Sequence, residues 1–174
     1  MRPIKEVLCF GLMRWSLGWS GLLLAAFLSS ATGAQATTWD RISRYLSLLK
    51  EAGIEALVAQ DCPLGLMGAF HQGKQALLMC GNNLQDDPAQ VWVVLAHESA
   101  HVMQDCKGEY LMPPVLLAEE MDQARRTHPA AFLELQLYDS SQHHAEAEAR
   151  LVQVLPPNQV EALFVKHCSN RLSP

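Results

Sequence analysis

Positive charge is scarce in this sequence. Its 174 residues hold 13 Lys+Arg against 18 Asp+Glu, and no segment interleaves basic with aromatic residues. Nucleic-acid binding needs positive surface against phosphate, so that class is excluded. No two cysteines stand in C-x-x-C spacing, which argues against a zinc cluster built from thiolates alone. Internal repeats and low-complexity linkers are also missing. Charged residues make up only 18% against 49% hydrophobic, the balance of a folded globular chain.

The hydrophobic load is concentrated at one end. Residues 15–30 carry no charge, with Arg2, Lys5 and Arg14 before them and Ala34-Gln35-Ala36 after. A basic start, an apolar run and a small-x-small end read as a secretory signal peptide, residues 1–36, cut after Ala36. The run is short for a spanning helix, so no stable membrane span is expected after cleavage. No Cys sits at the cut, which excludes a lipid anchor there. Removing these residues, with their three basic groups and Glu6, leaves 138 residues with ten Lys+Arg and seventeen Asp+Glu, a net charge of −7. That length suits one domain, residues 37–174. The expected location is secreted or periplasmic.

Four cysteines remain: Cys62, Cys80, Cys106 and Cys168. An even number in an oxidising compartment points to two disulfides. Of three pairings on paper, the favoured one joins Cys62 to Cys80 across a hairpin region and Cys106 to Cys168 across to the last helix.

Helical spacing of Trp39, Ile42, Leu46 and Leu49 predicts a first helix over 38–52, with Arg41, Arg44 and Lys50 off that face and Gly53 at its end. Residues 54–59 suit a short strand. Leu66–His71 and Gln75–Cys80 predict a β-hairpin around Gln72-Gly73-Lys74, although Gly68 weakens its first strand. Asp87-Pro88-Ala89-Gln90 is a strong helix start, with an N-cap acid, Pro at the first position and Gln three residues after the cap. This helix runs to Gly108, buried through Val91, Val94, Leu95 and Val102. Pro113-Pro114 enforces a loop. Helices follow over 115–127, 141–155 and 158–168, with Pro129 between the first two.

The central helix contains His97-Glu98-Ser99-Ala100-His101, an H-E-x-x-H sequence. Residues four apart share a helix face, so both imidazoles can reach one metal ion while Glu98 points into the same cleft. Neutral imidazole suits Zn2+, and three protein ligands with one water make a hydrolytic centre. Glu98 is the expected general base.

With these residues the chain resembles the small gluzincin metallopeptidases, zincins in which a Glu on a later helix supplies the third ligand. The likeness runs from Leu66 to Leu155. HESAHVMQDC with a later E-x-E-A also resembles small exported zincin-like proteins of bacteria. The resemblance implies an α+β, minimal zincin-like domain, with an edge hairpin packed on the H-E-x-x-H helix. It implies peptide or protein substrates held by main-chain pairing along Leu66–His71 or Gln75–Cys80. By the E-x-E-A match the third ligand is Glu146, with Ala149 letting its helix approach closely. Arg150 stands where the family often has an acid or Asn. Helical geometry favours another register. Leu151, Val152, Val154 and Leu155 mark a buried face toward which His144 and Glu148 project, whereas Glu146 projects with Arg150 and Gln153. His144 as ligand with Glu148 behind it is therefore the alternative, as is Glu148 itself.

The remaining polar residues read as ordinary. Gln104 and Asp105 suit a helix-end surface, and Glu119, Glu120, Arg125 and Arg126 a solvated helix. Tyr110 or Tyr138 could stabilise an oxyanion, as Tyr or His does in related zincins. His71 and His128 have no evident partner, and His167 suits the surface. The expected activity is that of an exported zinc endopeptidase. The rivals are a zinc amidase acting on cell-wall peptides and a zinc-stabilised binding or inhibitory module without turnover.

Overall fold

The computed structural model describes residues 38–172, so the expected signal segment lies outside the described residues. Thr38 caps helix α1 (Trp39–Glu51) by accepting from the Arg41 N–H, and Gly53 ends it at φ 79°. The buried stripe is Ile42, Tyr45 and Leu49. Trp39, expected inside, is exposed, while Arg41, expected outside, is buried with its Nε 2.9 Å from Glu161 Oε1. Strands β1 (Glu55–Ala59), β2 (Gly68–His71) and β3 (Ala76–Cys80) follow. A 3-10 turn, Gln72–Lys74, joins the last two, with Gln75 left-handed at φ 49°.

The hairpin forms, but strand order is β1-β3-β2: β2 pairs antiparallel with β3 and β1 parallel with β3. One expectation is corrected here. Gln75–Cys80 lies within the central strand and its lead-in, where pairing on both sides leaves no edge for an added segment. Only β2 offers an edge on the side of the long helix.

Helix α2 (Pro88–Lys107) starts at Asp87, whose carboxylate accepts from the Ala89 N–H, and ends at Gly108 with φ 76°. Gln90 does not close a reciprocal capping box; its Oε1 accepts from the Gln85 N–H. Trp92, Val94, Leu95, Ala96, Ala100, Val102 and Met103 are buried, so α2 is enclosed over most of its circumference. Helices α3 (Pro114–Thr127), α4 (His143–Gln153) and α5 (Pro157–His167) complete the chain. Between α3 and α4, Pro129–Leu137 forms 3-10 turns, burying Phe132 and Leu135 beside Leu117, Met121 and Leu151.

The main core lies between α1, the sheet, α2, α4 and α5. Tyr45 packs on Trp92 and Phe164 at ring-centroid distances of 5.2 and 5.6 Å, tying α1, α2 and α5 together. Fully buried Ala96, Ala100 and Ala149 leave no bulk where α2 meets α4. The disulfides join Cys62 to Cys80 and Cys106 to Cys168, the favoured pairing. Among the described residues, five α-helices and a three-stranded sheet make the fold mixed and consistent with α+β. Among the described residues no helix is long and apolar enough to cross a membrane.

Candidate metal centre

Three side chains from two helices converge. His97 and His101 stand one turn apart on α2, and α4 crosses α2 so that Glu146 reaches both rings. Glu146 Oε2 is 3.4 Å from His97 Nε2, and Glu146 Oε1 is 3.5 Å from His101 Nε2. All three ligand atoms lie within 4.8 Å of one another, and the residues are half-buried. A tetrahedral ion with bonds of about 2.0–2.1 Å requires ligand atoms about 3.3–3.4 Å apart. The two carboxylate-to-imidazole separations are close to that edge, each to a different oxygen of Glu146.

The hydrogen bonds behind the rings support the same conclusion. Gln104 Nε2 donates to Glu148 Oε2 at 2.8 Å and to the Ala145 carbonyl at 3.0 Å. Both partners only accept, so the amide orientation is fixed and Gln104 Oε1 faces His101 Nδ1 at 2.9 Å. His101 Nδ1 is thereby the donor in this bond, which turns Nε2 of the same ring toward Glu146. Gln153 Oε1 lies 2.9 Å from His97 Nδ1. The Nε2 atoms of both rings face the Glu146 carboxylate. Glu146 Oε2 itself is buried without a hydrogen bond of normal geometry. A bound cation would give that oxygen and both ring nitrogens a common partner. The donor set of two imidazoles and a carboxylate suits zinc chemically, although it does not identify the metal.

The two competing registers are not brought to the rings. Glu148 is fully buried and accepts from the Leu111 and Met112 N–H groups at 2.9 and 2.7 Å as well as from Gln104. His144 lies under Tyr110, with its ring stacked at 3.9 Å and its Nε2 3.2 Å from the Met112 carbonyl. Helix α4 misleads because it is covered on two sides. Leu151 and Val152 meet apolar core, while Glu146 and Gln153 meet the polar stripe of α2.

Glu98 follows His97 and is 7% exposed. Burial pushes its carboxyl above the ordinary range; the His97 and His101 rings and a hydrogen bond from the Phe70 backbone pull the other way, and Glu146 adds to the rise. Burial also acts to raise Glu146, but His97, His101 and Arg150 outweigh it and hold that carboxyl low. Neighbouring carboxyl groups are thus driven in opposite directions, a pattern typical of working sites.

A hollow of about 690 Å³ opens over these groups, lined also by Phe70, Gln72, Tyr110 and Tyr138. Both tyrosines named from the sequence border it. Asp105, expected at the surface, binds Gln72, Gln75 and Arg171, joining α2 to the hairpin turn and the C-terminal segment. His71 caps the hairpin turn by accepting from the Lys74 N–H. Gln104 and Gln153 were missed as orienting groups. Their positions three residues after His101 and three before Pro156 carry no apolar signal, since helical amides ordinarily meet solvent. Comparison with protein-family models, curated proteins and solved structures finds no match to the chain.

Proposed function

We propose that the protein is an exported zinc-dependent peptidase of gluzincin type, with His97, His101 and Glu146 holding the metal and Glu98 as general base. The observation that carries this reading is the convergence of two Nδ1-anchored imidazoles and Glu146, with a buried carboxyl next to them on the same helix. When bound, zinc polarises the scissile carbonyl and makes water acidic enough to lose a proton near neutral pH.

The chain's own residues do the rest. Glu98 takes a proton from the attacking water on its carboxylate and passes it to the departing amine nitrogen. Its burial lets the protonated form persist long enough for that second transfer. The outward edge of β2 offers main-chain groups to an extended peptide, the part assigned to Leu66–His71 from the sequence. Tyr110 and Tyr138 stand at the cleft wall, where a phenol can donate to a developing oxyanion. Two disulfides suit an oxidising compartment, in keeping with export.

The test is metal content and peptide hydrolysis measured together. The mature chain should contain one zinc, which Glu146→Ala loses. Glu98→Gln should keep the metal and lose peptide hydrolysis by about a hundredfold or more. Full activity in Glu98→Gln, or a chain that binds no zinc, overturns the reading.

A further inference from the structure

We propose that Asp105 is a positioning residue: with Gln72, Gln75 and Arg171 it clamps the hairpin turn to α2 and so sets β2 in register with the metal residues for peptides long enough to pair along that strand. This rests on the peptidase reading above and adds that extended substrates are favoured over short ones.

The helix supplies two ties. Glu98 and Asp105 are seven residues apart on α2, so they share a face about 10 Å apart along the axis, with His101 between them in sequence. One acid holds the strand and the other the turn after it. The Phe70 N–H donates to Glu98, and Gln72 Nε2, just past His71, donates to Asp105 Oδ1. A single tie at Glu98 would leave β2 free to swing about that point. Two ties fix its direction along the helix.

The turn is built around the second tie. Gln75 has a left-handed backbone, φ 49°, which is costly for a residue with a Cβ. Its side chain has no spare polar atom. Nε2 donates to Asp105 Oδ2 at 2.9 Å and to the Gln72 carbonyl at 2.6 Å, while Oε1 accepts from Arg171 Nη1. Arg171 Nη2 donates to the same Asp105 Oδ2 at 2.8 Å. The Arg171 N–H bonds the Cys168 carbonyl at 2.9 Å, a turn that brings the guanidinium in from the C-terminal segment. Three chain segments therefore meet on one carboxylate whose side chain is 9% exposed. Backbone strain of this kind persists where the surroundings over-determine it, and it gathers at working sites.

The place of the clamp gives it a role beyond stability. Gln72 and Asp105 both line the hollow over His97, Glu98 and His101. The Cys80 N–H donates to the Met67 carbonyl, and Ala69 lies opposite Leu78. By alternation, Gly68 and Phe70 turn their main-chain groups away from β3. A peptide that pairs with those groups depends on the direction of β2. A peptide that reaches only the metal residues does not.

The test compares a blocked hexapeptide of Ala and Leu with a blocked Ala-Leu dipeptide as substrates of the zinc-loaded chain. For wild type, kcat/KM for the hexapeptide should exceed that for the dipeptide by about tenfold or more. Asp105→Ala should bring the two within about threefold, Gln72→Ala likewise, and the double variant should lose no more than Asp105→Ala alone, because both remove one tie. Arg171→Gln should reduce the preference, and Arg171→Lys should restore part of it. Zinc affinity should stay within about threefold of wild type in each, since none of these side chains bonds His97, His101 or Glu146. Arg41→Gln breaks the Arg41–Glu161 pair between α1 and α5 and controls for general loosening. It should lower the unfolding midpoint and keep the hexapeptide preference. If it flattens the preference as Asp105→Ala does, or if Asp105→Ala keeps the preference, the clamp is overturned. If Asp105→Ala does not fold, Gln72→Ala on the exposed turn reads the same tie. Calorimetric binding of both peptides to zinc-loaded Glu98→Gln protein reads the clamp without turnover. Tighter binding of the hexapeptide, lost on adding Gln72→Ala, supports the clamp even if the wild type cleaves nothing, and then only the peptidase reading falls. Equal binding of both lengths, or a preference that survives Gln72→Ala, overturns the clamp whatever the activity.

Discussion

Gly68 passes so close to Glu98 that a Cβ added to it would stand 3.0 Å from Glu98 Cγ. The same Cβ would meet Val94 Cγ1 at 2.8 Å and the Leu78 carbonyl at 3.1 Å. A glycine that weakens an edge strand is thus what lets β2 lie against the face of α2 that carries the carboxylate.

Gly68→Ala should therefore act on Glu98 more than on the metal. Val94 is stiff and Leu78 contributes backbone, so the added methyl has to displace Glu98 or lift β2. Peptide hydrolysis should fall by about tenfold or more, and stability by about 1–3 kcal/mol. Zinc affinity should change little, because the atoms nearest the new methyl belong to Val94, Glu98 and Leu78 and not to His97, His101 or Glu146. Parallel titration of zinc and measurement of kcat/KM checks this; a loss of zinc equal to the loss of rate would refute it.

Gln104 and Glu148 should separate in their effects. Gln104→Ala removes the acceptor that fixes the His101 tautomer, so zinc affinity should drop about 10- to 100-fold while the fold persists. Glu148→Ala also removes the fully buried carboxylate that accepts from the half-buried Leu111 and Met112 N–H groups. Its stability should fall by about 3 kcal/mol or more. Denaturation of the zinc-free proteins, compared with zinc titration, tells the two apart. Gln153→Ala should resemble Gln104→Ala, since Gln153 holds His97.

The central helix was legible because its signals are local: an acid cap, Pro at the first turn, a stop glycine and two histidines four apart. Strand order was not legible, since nothing near Glu55–Ala59 announces a parallel partner about twenty residues on. The third member of the cluster was obscured for a related reason. Hydrophobic periodicity finds the face that meets apolar core, yet Glu146, Arg150 and Gln153 lie on a face turned toward another helix's polar stripe. Arg41 shows the same limit, being polar by type and buried by its pairing with Glu161. The E-x-E-A pattern pointed to Glu146, the residue that clusters with His97 and His101, where periodicity favoured its neighbours.

Acid sensitivity should have an identifiable contribution from Asp105. Burial acts to raise its carboxyl, but hydrogen bonds from Gln75, Arg171 and Gln72, with the Arg171 charge, outweigh burial and hold it below its usual 3.8. A carboxyl lowered by folding stabilises the native state fully above its unfolded value. That contribution disappears as pH falls below 3.8 and through the lower native value. Asp105→Asn should therefore be less stable than wild type at neutral pH, with the gap closing in acid. Denaturant midpoints from pH 7 down to about pH 2 check the sign. A gap that widens in acid would contradict the network.

The two disulfides should differ in what they protect. Cys106–Cys168 spans 62 residues and Cys62–Cys80 spans 18, so chain-entropy arguments give about 4 and about 3 kcal/mol. The longer bridge ties the end of α2 to the end of α5, and its removal should lower global stability with the metal residues still in register. The shorter one holds the segment before β2 against β3, and that segment supplies Leu66 and Met67 to a hollow of about 200 Å³ that His97 and Glu98 also line. Replacing Cys62 and Cys80 by Ala should therefore lower kcat/KM for peptide hydrolysis at temperatures well below unfolding. Replacing Cys106 and Cys168 should leave kcat/KM near its wild-type value until the chain melts. Thermal unfolding and kcat/KM, measured on both double variants, distinguish a general staple from one that shapes the cleft. If both variants lose rate only on unfolding, the shorter bridge has no role in the hollow.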